Sequence, residues 1–204
     1  MWPEQAPTRA AVLELGAERM VVEEAYEFLD EKRLLLAAEL LQELRRYEGL
    51  LAELEEGTRQ ANKLLAAAVR RHGLQGLAVY PVAALDGARV ETSRRNLMGV
   101  VLQETGLRIP GTGGREAASN PSPEAERCAE TFRVVVERSA VLAGISGNLY
   151  RLYAEYQLTE RRARALENII LPEIEQALRG MNARLEEQDL EDRIRARRLA
   201  NVLA

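Results

Sequence analysis

Cysteine, histidine and aromatic residues are all scarce in this chain, and each scarcity removes a class of protein. Among 204 residues there is one cysteine, Cys128, and one histidine, His72. An internal disulfide and a multi-cysteine metal centre are thereby excluded, and His72 has no second histidine or cysteine nearby with which to hold zinc. Aromatics make up 4% of the residues, too few for the large mixed core of an α/β enzyme. The net charge of −4 supplies no positive field to recruit nucleic acid or an anionic membrane. No uncharged apolar run approaches the ~18–20 residues needed to cross a bilayer. The opening "MWPEQAPTRAAV" lacks the basic-then-apolar order of a signal peptide. A cytoplasmic chain without membrane insertion is expected.

What is abundant is alanine, leucine and charge, with 29% charged residues, the composition of long helices and coiled coils. From Thr8 to His72 apolar residues recur in steps of three and four: Val12, Leu15, Val22, Tyr26, Leu29, Leu36, Leu40, and on through Leu44, Tyr47, Leu51, Leu54, Ala61, Leu65 and Ala68. That spacing is a coiled-coil seam. The steps Leu36–Leu40–Leu44 predict a stutter that locally unwinds it. Arg70, Arg71 and His72 suit the negative end of a helix dipole, and Gly73 suits a left-handed cap. A second helix opens at "SNPSPEAER", with Ser122 as cap and Pro123 in the first turn. Its seam runs from Cys128 to Leu185, interrupted by Gly144 and Gly147. At ~1.5 Å per residue each helix approaches or exceeds ~90 Å, so the two stripes must bury each other.

Residues 74–122 differ in character. "ARVETS" and "GVVLQ" are β-prone and separated by a short polar stretch, which predicts a hairpin. "PGTGGREAASNPSP" reads as a tether. The expected fold is all-α dominated: a long antiparallel two-helix coiled coil with a small β-hairpin and loop region between the helices. Its divisions are 1–73, 74–122 and 123–204. The hairpin is expected to present a partner surface rather than a core.

No catalytic constellation emerges. "GTGG" lacks the lysine and hydroxyl of a P-loop and the strand–loop–helix context it requires. Cys128 falls on the seam, where a small buried hydrophobe is the simplest role. "EEQDLED" and "RIRARR" read as solvated helix surface. The expectation is a non-enzymatic component with no catalytic, metal-binding or cofactor-binding residues and no cofactor. A static antiparallel coiled-coil adaptor or scaffold is one class that composition and periodicity leave open.

Several stretches point to another class. "PTRAAVLEL" and "FLDEKRLLLAAEL" resemble the opening helix of the D subunit of the V-type (archaeal and bacterial) ATP synthases, with Pro7, Thr8, Arg9, Leu29, Lys32 and Arg33 at motif positions. "RRNLMGVV" is similar to that family's hairpin motif at Asn96, Gly99 and Val100. The fullest match is "RRARALENIILPEIEQAL", through Arg161, Arg162, Ala165, Leu166, Glu167 and Pro172. The chain departs from the family's habits at Asp30, Glu31, Gln103, Arg164 and Leu190.

The resemblance implies a central-stalk rotor shaft that carries torque between the catalytic ring and the membrane rotor, peripheral to the membrane through the ATP synthase complex. Implied partners are the catalytic and regulatory ring subunits, the small F subunit and the membrane-rotor socket subunit. Implied ring contacts are Arg9, Val12, Pro172, Arg195, Leu199 and Val202; implied rotor contacts are Val90, Asn96, Gly99 and Val100. Pro172 inside a helix costs ~3 kcal/mol; either seam packing outweighs that cost, or a bend that makes the shaft eccentric justifies it. With Ala68 level with Cys128, Val12 lies opposite about residue 184. Residues from about 188 onward then extend as an unpaired helix, where Gln188, Asp192 and Arg195 replace apolar seam residues.

Overall fold

A computed structural model describes residues 8–78, 80, 87–109 and 121–203. In chain order they form α1 (Arg9–Ala78), β1 (Arg89–Leu97), β2 (Val100–Arg108), α2 (Pro123–Ala165), a π-helical turn (Leu166–Ile170) and α3 (Leu171–Leu203). Two long helical stretches with a two-stranded antiparallel sheet between them is the expected fold class. By compactness the chain divides into one unit of residues 36–155 and another of residues 1–35 with 156–204.

In the unit of residues 36–155 the core is built from small and branched side chains: Ala61 and Ala68 of α1, with Ala125, Cys128, Leu142 and Ile145 of α2. The helices are antiparallel here. Arg71 pairs with Glu124 at 2.8 Å and Arg138 with Glu53 at 3.7 Å. Glycine also allows close approach, since a Cβ on Gly57 would sit 3.4 Å from Val135 Cγ2. The helical path of α1 breaks at Gly73, whose φ of 70° and ψ of 165° leave the helical region, and resumes to Ala78. That positive φ favours glycine.

Ser122 caps α2 as its position before Pro123 implies: Ala125 N–H donates to Ser122 Oγ at 3.2 Å. The cap is also tied to α1, because His72 Nε2 lies 2.6 Å from the same hydroxyl and Tyr80 Oη accepts the Ser122 N–H at 2.8 Å. His72 therefore does more than face a helix dipole. Ser122 is 1% exposed, so Ser122→Ala leaves its partners short of a bond. The expected cost is about 1–2 kcal/mol, read from urea unfolding midpoints.

The seam of α1 is more regular than its apolar residues suggest. From Val12 to Ala68 one row of buried or half-buried positions, flanked by others that are half-buried, runs in alternating steps of three and four without a gap. The expected stutter is absent. Where it would place Leu44, the structure buries Glu43 at 2% exposure and leaves Leu44 37% exposed. A carboxylate tolerates that position because cations reach it: Arg95 of β1 lies 3.6 Å from Glu43, and Arg46 lies 3.8 Å away. Arg95 also bonds Glu39, which raises the pKa of its guanidinium above the ordinary arginine value.

The hairpin is longer than the sequence suggests. The polar stretch "SRRN" lies within β1, and the turn is the pair Met98–Gly99, flanked by Leu97 opposite Val100. Both turn residues have positive φ, 49° and 87°, as a two-residue hairpin turn with right-handed strand twist requires. Asn96 Oδ1 accepts the Gly99 N–H at 3.0 Å. Polar residues are tolerated in β1 because nearly all of the strand is exposed. β2 is different. Asn148 of α2 mimics a neighbouring strand, accepting the Gln103 N–H at 2.8 Å and donating to its carbonyl at 2.9 Å. Thr105 Oγ1 donates to the Ala140 carbonyl at 2.7 Å. Gly144 makes room for it: a Cβ there would fall on Thr105 Oγ1 and within 3.0 Å of its Cβ and Cγ2. Val100 and Leu102 are consequently core residues, at 6% and 0% exposure. The expectation of a hairpin without core residues is corrected for β2.

In the other unit, Thr8 Oγ1 accepts the Ala11 N–H at 3.1 Å and so opens α1. Leu15, Thr159, Ala163 and Ile174 are buried. Arg9 pairs with Asp189 at 3.1 Å and Arg19 with Glu175 at 3.4 Å, each within two positions of the partner the sequence register implies. Pro172 follows a π-helical turn in which the Leu171 N–H reaches back to the Leu166 carbonyl. The proline thus sits beside an i→i−5 turn instead of interrupting regular α-helix.

Candidate functional site

The described residues hold no group of three or more histidine, cysteine, aspartate or glutamate side chains able to bind a metal ion. No described helix is long and apolar enough to cross a membrane. The lone thiol of Cys128 is 7% exposed, and burial pushes its pKa above the usual thiol value. Alkylation by iodoacetamide at pH 8 should run at least about tenfold slower on the folded chain than in urea, because both thiolate fraction and access are reduced. Equal rates would place Cys128 outside the core.

The surface carries more information than any cavity. On α1, Leu13, Met20, Val21, Phe28, Leu34 and Leu35 are 47–75% exposed. At 100° per residue they share the side of the helix facing away from Leu15 and Tyr26. Each lies seven residues from, or beside, another of the set. Exposed Glu24, Glu27 and Glu31 share that side, so it is a mixed surface in which large apolar side chains recur between carboxylates, the make-up of a candidate binding surface. The apolar residues lie off the seam; their seven-residue spacing was the available signal.

The residues implied as ring contacts fall around this stripe's unit in different ways. Arg9 is highly exposed and pairs with Asp189, and Val12 is half-buried on the seam. Pro172 is exposed. Arg195 is exposed and pairs within α3 with Glu191 at 3.0 Å and with Asp192 at 3.8 Å. Leu199 and Val202 lie on α3, but their side chains fall outside the described residues. Every described side chain from Glu186 to Arg198 is exposed, including Leu190 at 56% and Ile194 at 51%, two apolar residues that the motif comparison does not single out as contacts.

The residues implied as rotor contacts separate into two groups. Val90 is 62% exposed on β1, and Asn96 and Gly99 shape the turn. Val100 is buried inside the chain; Val101, which alternates with it to the other face, is 44% exposed. In the same unit Leu40, Leu44 and Tyr47 of α1 and Leu149, Tyr150 and Tyr153 of α2 line an open, largely apolar groove of about 300 Å³.

Antiparallel paired helices with an attached hairpin and exposed apolar side chains are the architecture of a coiled-coil protein with surface to offer a partner. The chain belongs to the family of ATP synthase D subunits, whose sequence profile matches residues 11–201. It is 28% identical over 200 residues to the D subunit of the A-type ATP synthase of Thermococcus sibiricus, covering 97% of this chain and 94% of the relative. It is 30% identical over 196 residues to the D subunit of the V-type ATP synthase of Anaeromyxobacter dehalogenans, covering 95% and 94%. A third relative, the D subunit of the V-type ATP synthase of Thermotoga neapolitana, is 25% identical over 199 residues.

Proposed function

We propose that this chain is the central-stalk shaft of a V-type ATP synthase, working within that complex and peripheral to the membrane. The unit of residues 1–35 and 156–204 engages the catalytic and regulatory ring subunits. The unit of residues 36–155 engages the small F subunit and the membrane-rotor socket subunit through the hairpin and the groove. The chain transmits torque and has no chemistry of its own, so ATP turnover belongs to the ring.

The observation that carries this reading is the exposed stripe on α1. A row of large exposed side chains such as Phe28 and Leu35 suits a bearing against several similar walls in turn. Ion pairs would instead favour one fixed seat. An asymmetric pair of helices also offers each ring interface a different face.

Co-purification tests the proposal. A tagged chain should recover nucleotide-binding ring subunits; recovery of unrelated clients instead would favour a static scaffold. Phe28→Asp with Leu35→Asp should cut ring recovery at least about tenfold, the equivalent of about 1.4 kcal/mol. Both side chains are largely exposed, so the thermal midpoint of the isolated chain should stay put. A fall in that midpoint would assign the stripe to folding.

A further inference from the structure

We infer that the π-helical turn at Leu166–Ile170 is a phase-setting element: it absorbs one residue that the second helical stretch has in excess of the seam, and Pro172 fixes where this happens. Neither the family membership nor the shaft proposal is needed for this conclusion. It rests on the burial pattern.

The seam of α1 is an unbroken heptad from Val12 to Ala68. The seam of the other helical stretch runs in the same alternation through Tyr156, Thr159, Ala163, Leu166 and Ile170. The next three-residue step would land on Glu173. Glu173 is exposed, and Ile174 is fully buried instead. From Ile174 the alternation resumes through Leu178, Met181 and Leu185, displaced by one position. One residue has been added without turning the seam away from α1.

In a regular α-helix each extra residue rotates everything after it by about 100°, which the supercoil would have to unwind to absorb, and the α1 row shows no such break. A π turn holds one more residue per hydrogen-bonded loop and takes up the insertion locally. The turn lies between Ile170 and the displaced Ile174, with Leu171 N–H bonded to the Leu166 carbonyl. The excess residue could be absorbed elsewhere along the helix at similar cost. Pro172 removes that freedom, since it has no N–H to offer Asn168 in a regular α-helical bond. Register therefore demands the π turn, and the proline pins it.

The two causes separate experimentally. Crystal structures of Pro172→Ala and of a chain lacking Asn168 would be compared with the parent, alongside a control lacking Arg161, which lies in the regular part of the seam. Pro172→Ala should keep an i→i−5 turn between residues 160 and 176 and keep Ile174 buried. Deletion of Asn168 should give continuous α-helix, with a thermal midpoint equal to or above the parent's. Deletion of Arg161 should lower the midpoint by several degrees, because it throws Ala163, Leu166 and Ile170 out of frame. A Pro172→Ala chain that becomes α-helical throughout and carries Glu173 onto the seam would show that the proline alone makes the turn. Deletion of Asn168 costing as much as deletion of Arg161 would show that there is no excess residue to remove. Either result overturns the inference.

Discussion

Leu102→Ala should destabilise the chain by about 2–5 kcal/mol, among the largest losses any single truncation here can cause. A strand of a two-stranded ribbon is ordinarily half exposed, and such a ribbon is at best marginally stable alone. Leu102 is nevertheless 0% exposed. It stands opposite Arg95, which reaches Glu39 and Glu43 of α1, while α2 holds the strand through the paired Asn148–Gln103 bonds and through Thr105 in the space left by Gly144. Those polar contacts set the position of the strand, and Leu102 supplies the apolar burial. Truncating the side chain to a methyl leaves a cavity that the backbone bonds to Asn148 prevent from collapsing. Urea unfolding should show the drop in midpoint, and amide exchange should show the hairpin opening first. A loss below about 1 kcal/mol, well short of the usual cost of a buried leucine, would mean that the hairpin rests on Arg95 and its glutamates instead.

The sequence disclosed the elements whose causes are local. The cap at Ser122, much of the seam rows and the existence of a hairpin follow from residue type and spacing over a few turns. It concealed those whose causes lie far along the chain. Glu43 looks like a polar interruption next to a better apolar candidate, Leu44. Arg95, brought alongside α1 by the hairpin, joins the local Arg46 in bringing positive charge to that carboxylate. Gly144 looks like a weak point in a helix, whereas it is the socket for Thr105. Around Pro172 the signal is local and the seam reading passes over it: the run of four-residue steps Leu166–Ile170–Ile174–Leu178 precedes and spans the proline beside the π turn. Of the implied contact residues, Val90, Arg9 and Arg195 are on the surface and Val100 is buried within the chain, a difference that alternation alone does not reveal because it leaves open which face of β2 is covered.

Removing residues 190–204 should leave the stability of the isolated chain almost untouched while abolishing recovery of ring subunits. The register places Arg9, the first residue of α1, beside Asp189. Past that level α3 has no described stretch of α1 to pack on, and each described side chain there is exposed. The segment's ion pairs, Arg195 with Glu191 and Asp192, are local and solvent-facing, worth less than about 1 kcal/mol together. Unpaired, a helical end of this length is marginal in water. Its amides in the isolated chain should therefore exchange within seconds, in contrast to the buried turn around Ala163. Leu190 and Ile194 gain burial only if another protein of the complex covers them, at roughly 25 cal/mol per Å² of apolar surface removed from water, so the tip should become protected on assembly. The truncated chain should keep its urea midpoint and lose at least about tenfold in ring recovery. Strong protection of residues 190–203 in the isolated chain, or full recovery of the ring by the truncated one, would remove the tip from the proposed bearing.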